Sequence, residues 1–360
     1  MQKKLIALAV AGLMSGGAFA ASSVTVYGNI DMGLRNVTNI NAAGDSVLGM
    51  GATAGGSGAN GSDNGKGDFA ANRLGFRGKE DLGNGLDAHF NLELGYLSGN
   101  GALDTVAPAG SNSVIFQRQA NVGLGGDWGS LDLGRNYTAI FKTVAAYDPF
   151  HYTFTGAVPL VGLDGLRRDN DIQYTGSFSG VTVRVEHALG QVPGMSGASA
   201  TTEGGLNYDN GPISVGGAAM TKKDATNQLT TKQWTVGGAF RTGPFEVAAG
   251  YDKNTADQPL ISSADTKNWW LGGSYHMTPA AALLAGYFDT KTSNVSDIDG
   301  QSKKFVVGAQ YNMSKSTILY ADIDHTNLDG SSVIGYLKGG VAPQTQSTQN
   351  GIMFGIDHWF

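Results

Sequence analysis

From Val24 to Arg35 the chain alternates without a break. Val24, Val26, Gly28, Ile30, Met32 and Leu34 take turns with Thr25, Tyr27, Asn29, Asp31, Gly33 and Arg35. A period of two over a dozen residues predicts a strand with one apolar and one polar face. The same pattern returns after each turn signal. Leu86, Ala88, Phe90, Leu92 and Leu94 oppose Asp87, His89, Asn91 and Glu93, and Phe245, Val247, Ala249 and Tyr251 oppose Glu246 and Asp252. At the end of the chain, Ile352, Phe354, Ile356, His358 and Phe360 alternate with Met353, Gly355, Asp357 and Trp359.

Two kinds of connection separate these segments. Seven are short, such as Asp209–Gly211 and Thr242–Pro244, with the Gly, Asn, Asp and Pro of tight hairpins. Eight are long, among them Val37–Gly67, Leu97–Ser113, Gly134–Asp171 and Thr326–Asn350. Fifteen connections join sixteen strands, an even number. Soluble sandwiches alternate too, but their strands are usually about 5–6 residues. These run to about 10 residues, which at a tilt near 45° rise roughly 23 Å, close to the apolar band of an outer-membrane barrel. Alternating long and short connections also separate two rims, as in such barrels. Backbone groups in lipid must all be paired, so the sheet is expected to close. Phe360 is expected to lie near Ala21, where the last strand meets Ser23–Arg35. The aromatics Tyr27, Tyr96, Trp128, Trp269, Tyr275, Tyr287 and Trp359 are candidates for interfacial girdles, some of them lumenal by parity.

The stretch Gly134–Asp171 has no clean period. It carries Tyr137, Phe141, Tyr147, Phe150, Tyr152 and Phe154, with Arg135 before them and Arg167 and Arg168 after. A structureless connection of this length is usually functional. It is the candidate to fold into the barrel.

Composition sharpens this. Lys3 and Lys4, the apolar run Leu5–Met14 and Ala18-Phe19-Ala20 form a signal-peptide pattern with a chain beginning at Ala21; residues 21–360 then form a single barrel domain. With 55 Gly and 9 Pro a helical protein is excluded. There is no cysteine, so no disulfide framework. Without Lys3 and Lys4, 22 basic residues stand against 30 acidic ones, which argues against a nucleic-acid partner. The six histidines show no metal-ligand spacing, and no cofactor is implied. Gly56–Gly61 fits G-x-G-x-x-G by letter but lacks the flanking strand and helix of a dinucleotide site. Asp63, Asp68, Asp297 and Asp299 read as solvated loop carboxylates, with calcium binding in the surface loops left open as the alternative.

Several segments resemble the Gram-negative general diffusion porins of the betaproteobacterial branch. They are Val24-Thr25-Val26-Tyr27-Gly28, the run Arg73-Leu74-Gly75-Phe76-Arg77-Gly78-Lys79-Glu80-Asp81-Leu82-Gly83, Val122-Gly123-Leu124, Leu133-Gly134-Arg135, Arg168-Asp169-Asn170-Asp171 and the terminal His358-Trp359-Phe360. They occur in order along the whole chain. The resemblance implies a sixteen-stranded antiparallel transmembrane β-barrel in the outer membrane, a homotrimer in lipid and lipopolysaccharide, whose third extracellular loop folds inward. It implies passive diffusion of ions and small hydrophilic solutes and no catalysis. Leu97–Ser113 would then latch onto a neighbouring subunit. Arg73, Arg135 and Arg168 carry over by motif as wall arginines, and Arg77 and Arg35 join them by strand parity. Asp148 or Asp164 would face them from the loop, beside Lys142, Tyr137 and Tyr147, although Asp148 precedes Pro149, where a turn-forming role competes. The acidic loop motif of enterobacterial relatives is not present, so the choice of carboxylate and the ion preference stay open. Alternatives are a substrate-selective porin with an aromatic slide, a loop-mediated adhesin and a barrel hydrolase.

Overall fold

The computed structural model describes residues 23–40, 43–50, 67–104, 114–154, 163–258, 263–293, 299–330 and 346–360. The signal-peptide segment, Ala21, Gly56–Gly61 and part of Leu97–Ser113 lie outside them. Among the described residues there are seventeen strands. The first six are β1 (Ser23–Val37), β2 (Val47–Met50), β3 (Arg73–Gly83), β4 (Leu86–Gly95), β5 (Gln119–Gly126) and β6 (Gly129–Tyr137). After a short helix, α1 (Ala139–Val144), come β7 (Arg167–Phe178), β8 (Val181–Ala188), β9 (Thr201–Asn210), β10 (Ile213–Lys223) and β11 (Thr230–Thr242). The chain ends with β12 (Phe245–Ala256), β13 (Ala264–His276), β14 (Ala281–Ser293), β15 (Gly300–Asn312), β16 (Thr317–Gly330) and β17 (Thr348–Trp359).

The wall is a closed barrel of sixteen antiparallel strands, in which each strand from β4 to β16 pairs with its sequence neighbours and β3 pairs with β1 and β4. β2 is an extra ribbon of four residues, added to β1 from Leu34↔Met50 to Val37↔Val47. Closure runs through β1: its first half pairs with β3, from Ser23↔Lys79 to Asn29↔Arg73, and its second half with β17, from Asn29↔Trp359 to Val37↔Gly351. That stagger is what tilted strands require to close a cylinder. It sets Phe360 opposite Gly28, with reciprocal N–H···O bonds of 3.1 Å, rather than at the start of β1.

The two faces follow the alternation. Val24, Val26 and Ile30 are 64, 52 and 50% exposed, while Asn29, Asp31 and Arg35 are buried. Apolar outside and polar inside is the reverse of a soluble protein and fits a wall solvated by acyl chains. Aromatic pairs mark two levels of the outer face: Trp234–Tyr251 and Trp269–Tyr287 toward the long loops, Phe245–Tyr275 and Trp128–Tyr174 toward the short turns. Tyr27 and Trp359 instead belong to the lumen, where they meet Arg77 and Arg73.

Three expectations need correction. Gly134–Asp171 is not structureless throughout, because β6 runs to Tyr137, β7 starts at Arg167 and α1 lies between them. The first long connection carries β2, which its Gly-rich surroundings masked. Asp68 is buried rather than solvated, in a segment that turns inward beside Asp31.

The lipid face is the part of the wall most sensitive to charge. Val122→Arg, on the outer face of β5, is expected to cost about 2–4 kcal/mol if it lies near the bilayer midplane. The neighbouring lumenal substitution Asn121→Arg should cost much less. Urea-dependent folding into lipid vesicles measures both, and equal losses would contradict this assignment of faces.

Candidate functional site

The inserted segment starts where β6 ends. Thr138 caps α1, its Oγ1 accepting from the Phe141 N–H at 3.2 Å. The first free N–H groups of the helix go to the wall: Ala139 donates to Glu186 at 2.9 Å and Ile140 to Glu203 at 3.4 Å. Carboxylates suit these amides, which have no partner within the helix. The helix therefore packs on the inner face of β8–β11.

Beyond the helix the chain crosses the inner wall, one aromatic or proline to a strand. Tyr147 stacks on Trp270 of β13 at 5.9 Å, and Trp270 Nε1 donates to the Tyr147 carbonyl at 2.9 Å. Phe150 meets Phe288 of β14, and Phe154 meets Tyr320 of β16 and Phe69. Opposite each stands a glycine that leaves room. A Cβ on Gly237 would lie 2.2 Å from the Tyr147 ring, one on Gly272 2.8 Å from Pro149, and one on Gly286 2.6 Å from Phe150. Tyr147, Phe150 and Phe154 are wholly buried here, each worth about 1.5–3 kcal/mol of apolar burial. The apolar core of the described residues is this contact between segment and wall.

The turn at the tip is strained. His151, Tyr152 and Phe154 have φ of 50°, 59° and 57°, left-handed values uncommon for non-glycine residues. Asp148 compensates, accepting from the backbone N–H of Phe150 at 3.0 Å and of Tyr152 at 2.7 Å. Phe154 is tied by its N–H to the Phe69 carbonyl at 2.8 Å, and Asp31 accepts from Phe69 and Ala70 at 2.6 and 2.8 Å.

The segment covers the β8–β16 half of the lumen and leaves the other half to a row of arginines. Arg73, at the head of β3, lies 5.3 Å over the Trp359 ring, with Nε on the Ala71 carbonyl at 3.0 Å. Arg118, one residue before β5, binds Glu93 through Nε at 2.6 Å and the Tyr137 hydroxyl at 2.7 Å. Arg167, at the head of β7, reaches the same hydroxyl at 2.7 Å and lies 4.3 Å over its ring. Arg73 and Arg167 are each within electrostatic reach of Arg118. Facing them, Tyr137, Phe141 and Tyr152 stack at 4.7 and 4.4 Å.

The other sequence candidates lie elsewhere. Arg77 is lumenal, 5.2 Å over Tyr27 and nearer the short turns. Arg35 is buried between Asp322 and Asp324. Arg168 pairs with Glu203 at 3.0 Å and Asp164 at 3.2 Å, and Asp164 also holds Lys222 at 3.0 Å. Arg135 pairs across the strands with Ala120 and binds Asp169, 67% exposed, at the loop rim. Asp148 serves its own turn, Lys142 donates to Gln173, and Tyr147 is part of the seat. Arg118 was missed, although a signal existed. Three strands that descend from the loop rim each begin at, or one residue after, an arginine: 73, 118 and 167.

A closed, lipid-facing barrel with a chain segment seated in its lumen defines the class of outer-membrane channels. This chain belongs to the Gram-negative porin family, whose model matches residues 7–331. It is 31% identical to outer membrane porin protein 32 of Delftia acidovorans over the full length of both chains. Among solved structures, the anion-selective porin from Comamonas acidovorans aligns at 26% identity with a TM-score of 0.77, covering 94% of this chain and 100% of its own. OmpT of Vibrio cholerae, folded in vitro and in its trimer form, shares the fold at 14% identity with a TM-score of 0.66, covering 94% and 100% of the two chains. The protein is thus an outer-membrane channel and not an enzyme.

Two outcomes follow from the seat. Gly286→Val should push Phe150 off the wall at about 1–3 kcal/mol and change single-channel conductance, with the strand signal in circular dichroism kept. Unchanged conductance would place the segment elsewhere. The second concerns pH. His151 is held above its ordinary pKa by its hydrogen bond to Glu246 at 3.3 Å, with Asp148 and Arg241 also facing it, and burial pushes the Asp148 carboxyl up to about 7. A base with a raised pKa stabilises fully below about 6.5 and loses this as pH rises through its folded value. An acid with a raised pKa costs stability increasingly from about pH 4 up to its folded value. Both act in one direction, so current noise from the tip should grow as pH rises from about 4 through about 7, and His151→Gln should flatten the rise.

Proposed function

We propose that this porin passes ions and small hydrophilic solutes by diffusion between the inserted segment and the β3–β7 wall, and favours anions. The observation carrying this is the grouping of Arg73, Arg118 and Arg167 while the carboxylates of the segment are engaged elsewhere, Asp148 with its own backbone and Asp164 with Arg168 and Lys222. Guanidinium stays charged throughout the accessible pH range. Pore-lining charge of one sign admits counter-ions and repels co-ions. Of the acidic neighbours, Glu93 is bound by Arg118 and Tyr27, Asp357 accepts from Asn29, and Asp104 acts on Arg118 through space. The field is then positive on one side and aromatic on the other, in place of a transverse Arg–Asp field. An aromatic slide is not favoured, because the Tyr137 ring is covered by Arg167 on one side and Phe141 on the other. The anion-selective relative from Comamonas acidovorans supports the same preference.

A homotrimer in outer-membrane lipid and lipopolysaccharide, exported by a signal peptide ending at Ala20, belongs to the same proposal. The trimer form of the Vibrio cholerae structure supports its assembly.

Reversal potentials in a potassium chloride gradient test the reading. Wild type is expected to prefer chloride. Arg73→Ala with Arg167→Ala should lower the anion-over-cation permeability ratio roughly severalfold, since two unit charges within a Debye length of the path are lost. A cation-preferring wild type, or a double variant with an unchanged ratio, would sink it.

A further inference from the structure

Below the arginine row, toward the short turns, the lumen holds a cavity of about 430 Å³ between the wall and α1. The strand register gives its depth: Thr25 pairs with Arg77 and Ser23 with Lys79, whereas Arg73 pairs with Asn29 higher on the same strand. Arg77, Lys79, His89 and Lys142 line the cavity, and Asp132 is its acidic lining residue. Asp132 already has partners, since His89 Nε2 lies 2.8 Å from it and Ser130 donates to it at 3.1 Å. The other ring nitrogen of His89 is 2.8 Å from Asp87, which also binds Lys79 at 2.9 Å.

Two cations are left over. Arg77 rests on the ring of Tyr27, and Lys142 donates to the amide oxygen of Gln173. Neither forms an ion pair among the described residues. Desolvation also pushes the Lys142 ammonium below its usual range. The lining sets Arg77, Lys79 and Lys142 against one carboxylate, Asp132. Asp132, Glu186 and Asp171 act on Lys142 through space without pairing with it, and a charge-assisted hydrogen bond to an anion would give Lys142 and Arg77 a direct partner. Arg77 stands on the wall and Lys142 on the inserted helix, so an anion between them would bridge the two sides of the path.

We propose that this cavity is an anion subsite separate from the arginine row, taking a small oxyanion such as inorganic phosphate. The subsite rests on the reading of the pore as an anion path, but its residues and its depth differ from those of the row. Arg77 offers a planar fork to two oxygens and Lys142 a point charge to a third.

Phosphate block of chloride current tests it, with the whole protein in planar bilayers and inorganic phosphate titrated from each side in turn. Wild type is expected to show a saturable fall in current. In Arg77→Ala/Lys142→Gln the half-blocking concentration should rise at least about tenfold, the least expected for the loss of two charge-assisted bonds, with a smaller loss of chloride preference than in Arg73→Ala/Arg167→Ala. Phosphate without effect on wild type, or equal block of both proteins, overturns the subsite. Loss of block together with a reversal-potential shift as large as that of Arg73→Ala/Arg167→Ala assigns Arg77 and Lys142 to the row itself and also overturns it. Arg73→Ala lies outside the cavity and should keep the block whatever its reversal potential, so the row and the subsite fail independently. If the double variant opens no channels, Arg77→Gln and Lys142→Gln are read singly by the same criteria.

Discussion

A sheet in hydrocarbon can leave no edge, because an unpaired N–H or C=O there has no water to turn to. Everything else in this protein accommodates that constraint. Closure between β1 and β17 commits every wall residue to one of two faces, apolar toward lipid or polar toward the lumen. The lipid face then needs no protein core behind it. Polar side chains such as Asn29, Asp31 and Asn268 are enclosed by the lumen they line.

The apolar core is displaced as a result. It lies inside the cylinder, where the inserted segment meets the wall, with Tyr147, Phe150 and Phe154 set against Trp270, Phe288 and Tyr320. Glycines on the inner face let rings sit close to the backbone, and Asp148 holds a left-handed turn at the tip. Since the segment occupies one half of the lumen, the path is pushed to the other half, and with it the row of Arg73, Arg118 and Arg167. The position of the core thus decides where the channel runs.

The wall was legible in the sequence because strand parity is a local rule. One apolar residue in two is enough to assign a face, and turn residues at regular spacing count the strands. Arg77 was found that way, and parity agrees with the motif that marked Arg73. The lumen was less legible, since which lumenal charges meet depends on stagger and on pairings between distant strands. Arg35 has the right parity, yet Asp322 and Asp324 from β16 take its charge. Arg168 fits a motif, but the side chain that reaches Tyr137 belongs to Arg167, one residue earlier. At Arg135 the ladder between β6 and β7 is irregular, and parity fails where register shifts. The Asp148-Pro149 pair did announce a turn, and Asp148 folds back on Phe150 and Tyr152 to hold it. The aromatics of the segment were visible as a group, while the glycines that receive them are scattered over β11, β13, β14 and β15 and look like any others.

The central claim is where the inserted segment sits, and a disulfide tests it most directly. The chain has no cysteine of its own. A Cβ at Gly272 would lie 2.8 Å from the Pro149 Cβ and 2.7 Å from the Ala285 carbonyl oxygen, so a bridge there requires the segment to move away from the wall by about 1 Å. Oxidising the folded Pro149→Cys/Gly272→Cys protein is expected to give a full cross-link. Pro149→Cys with Gly75→Cys, across the lumen on the arginine wall, should stay reduced. A missing bridge in the first pair, or a bridge in the second, would contradict the seat and with it the path along the arginines.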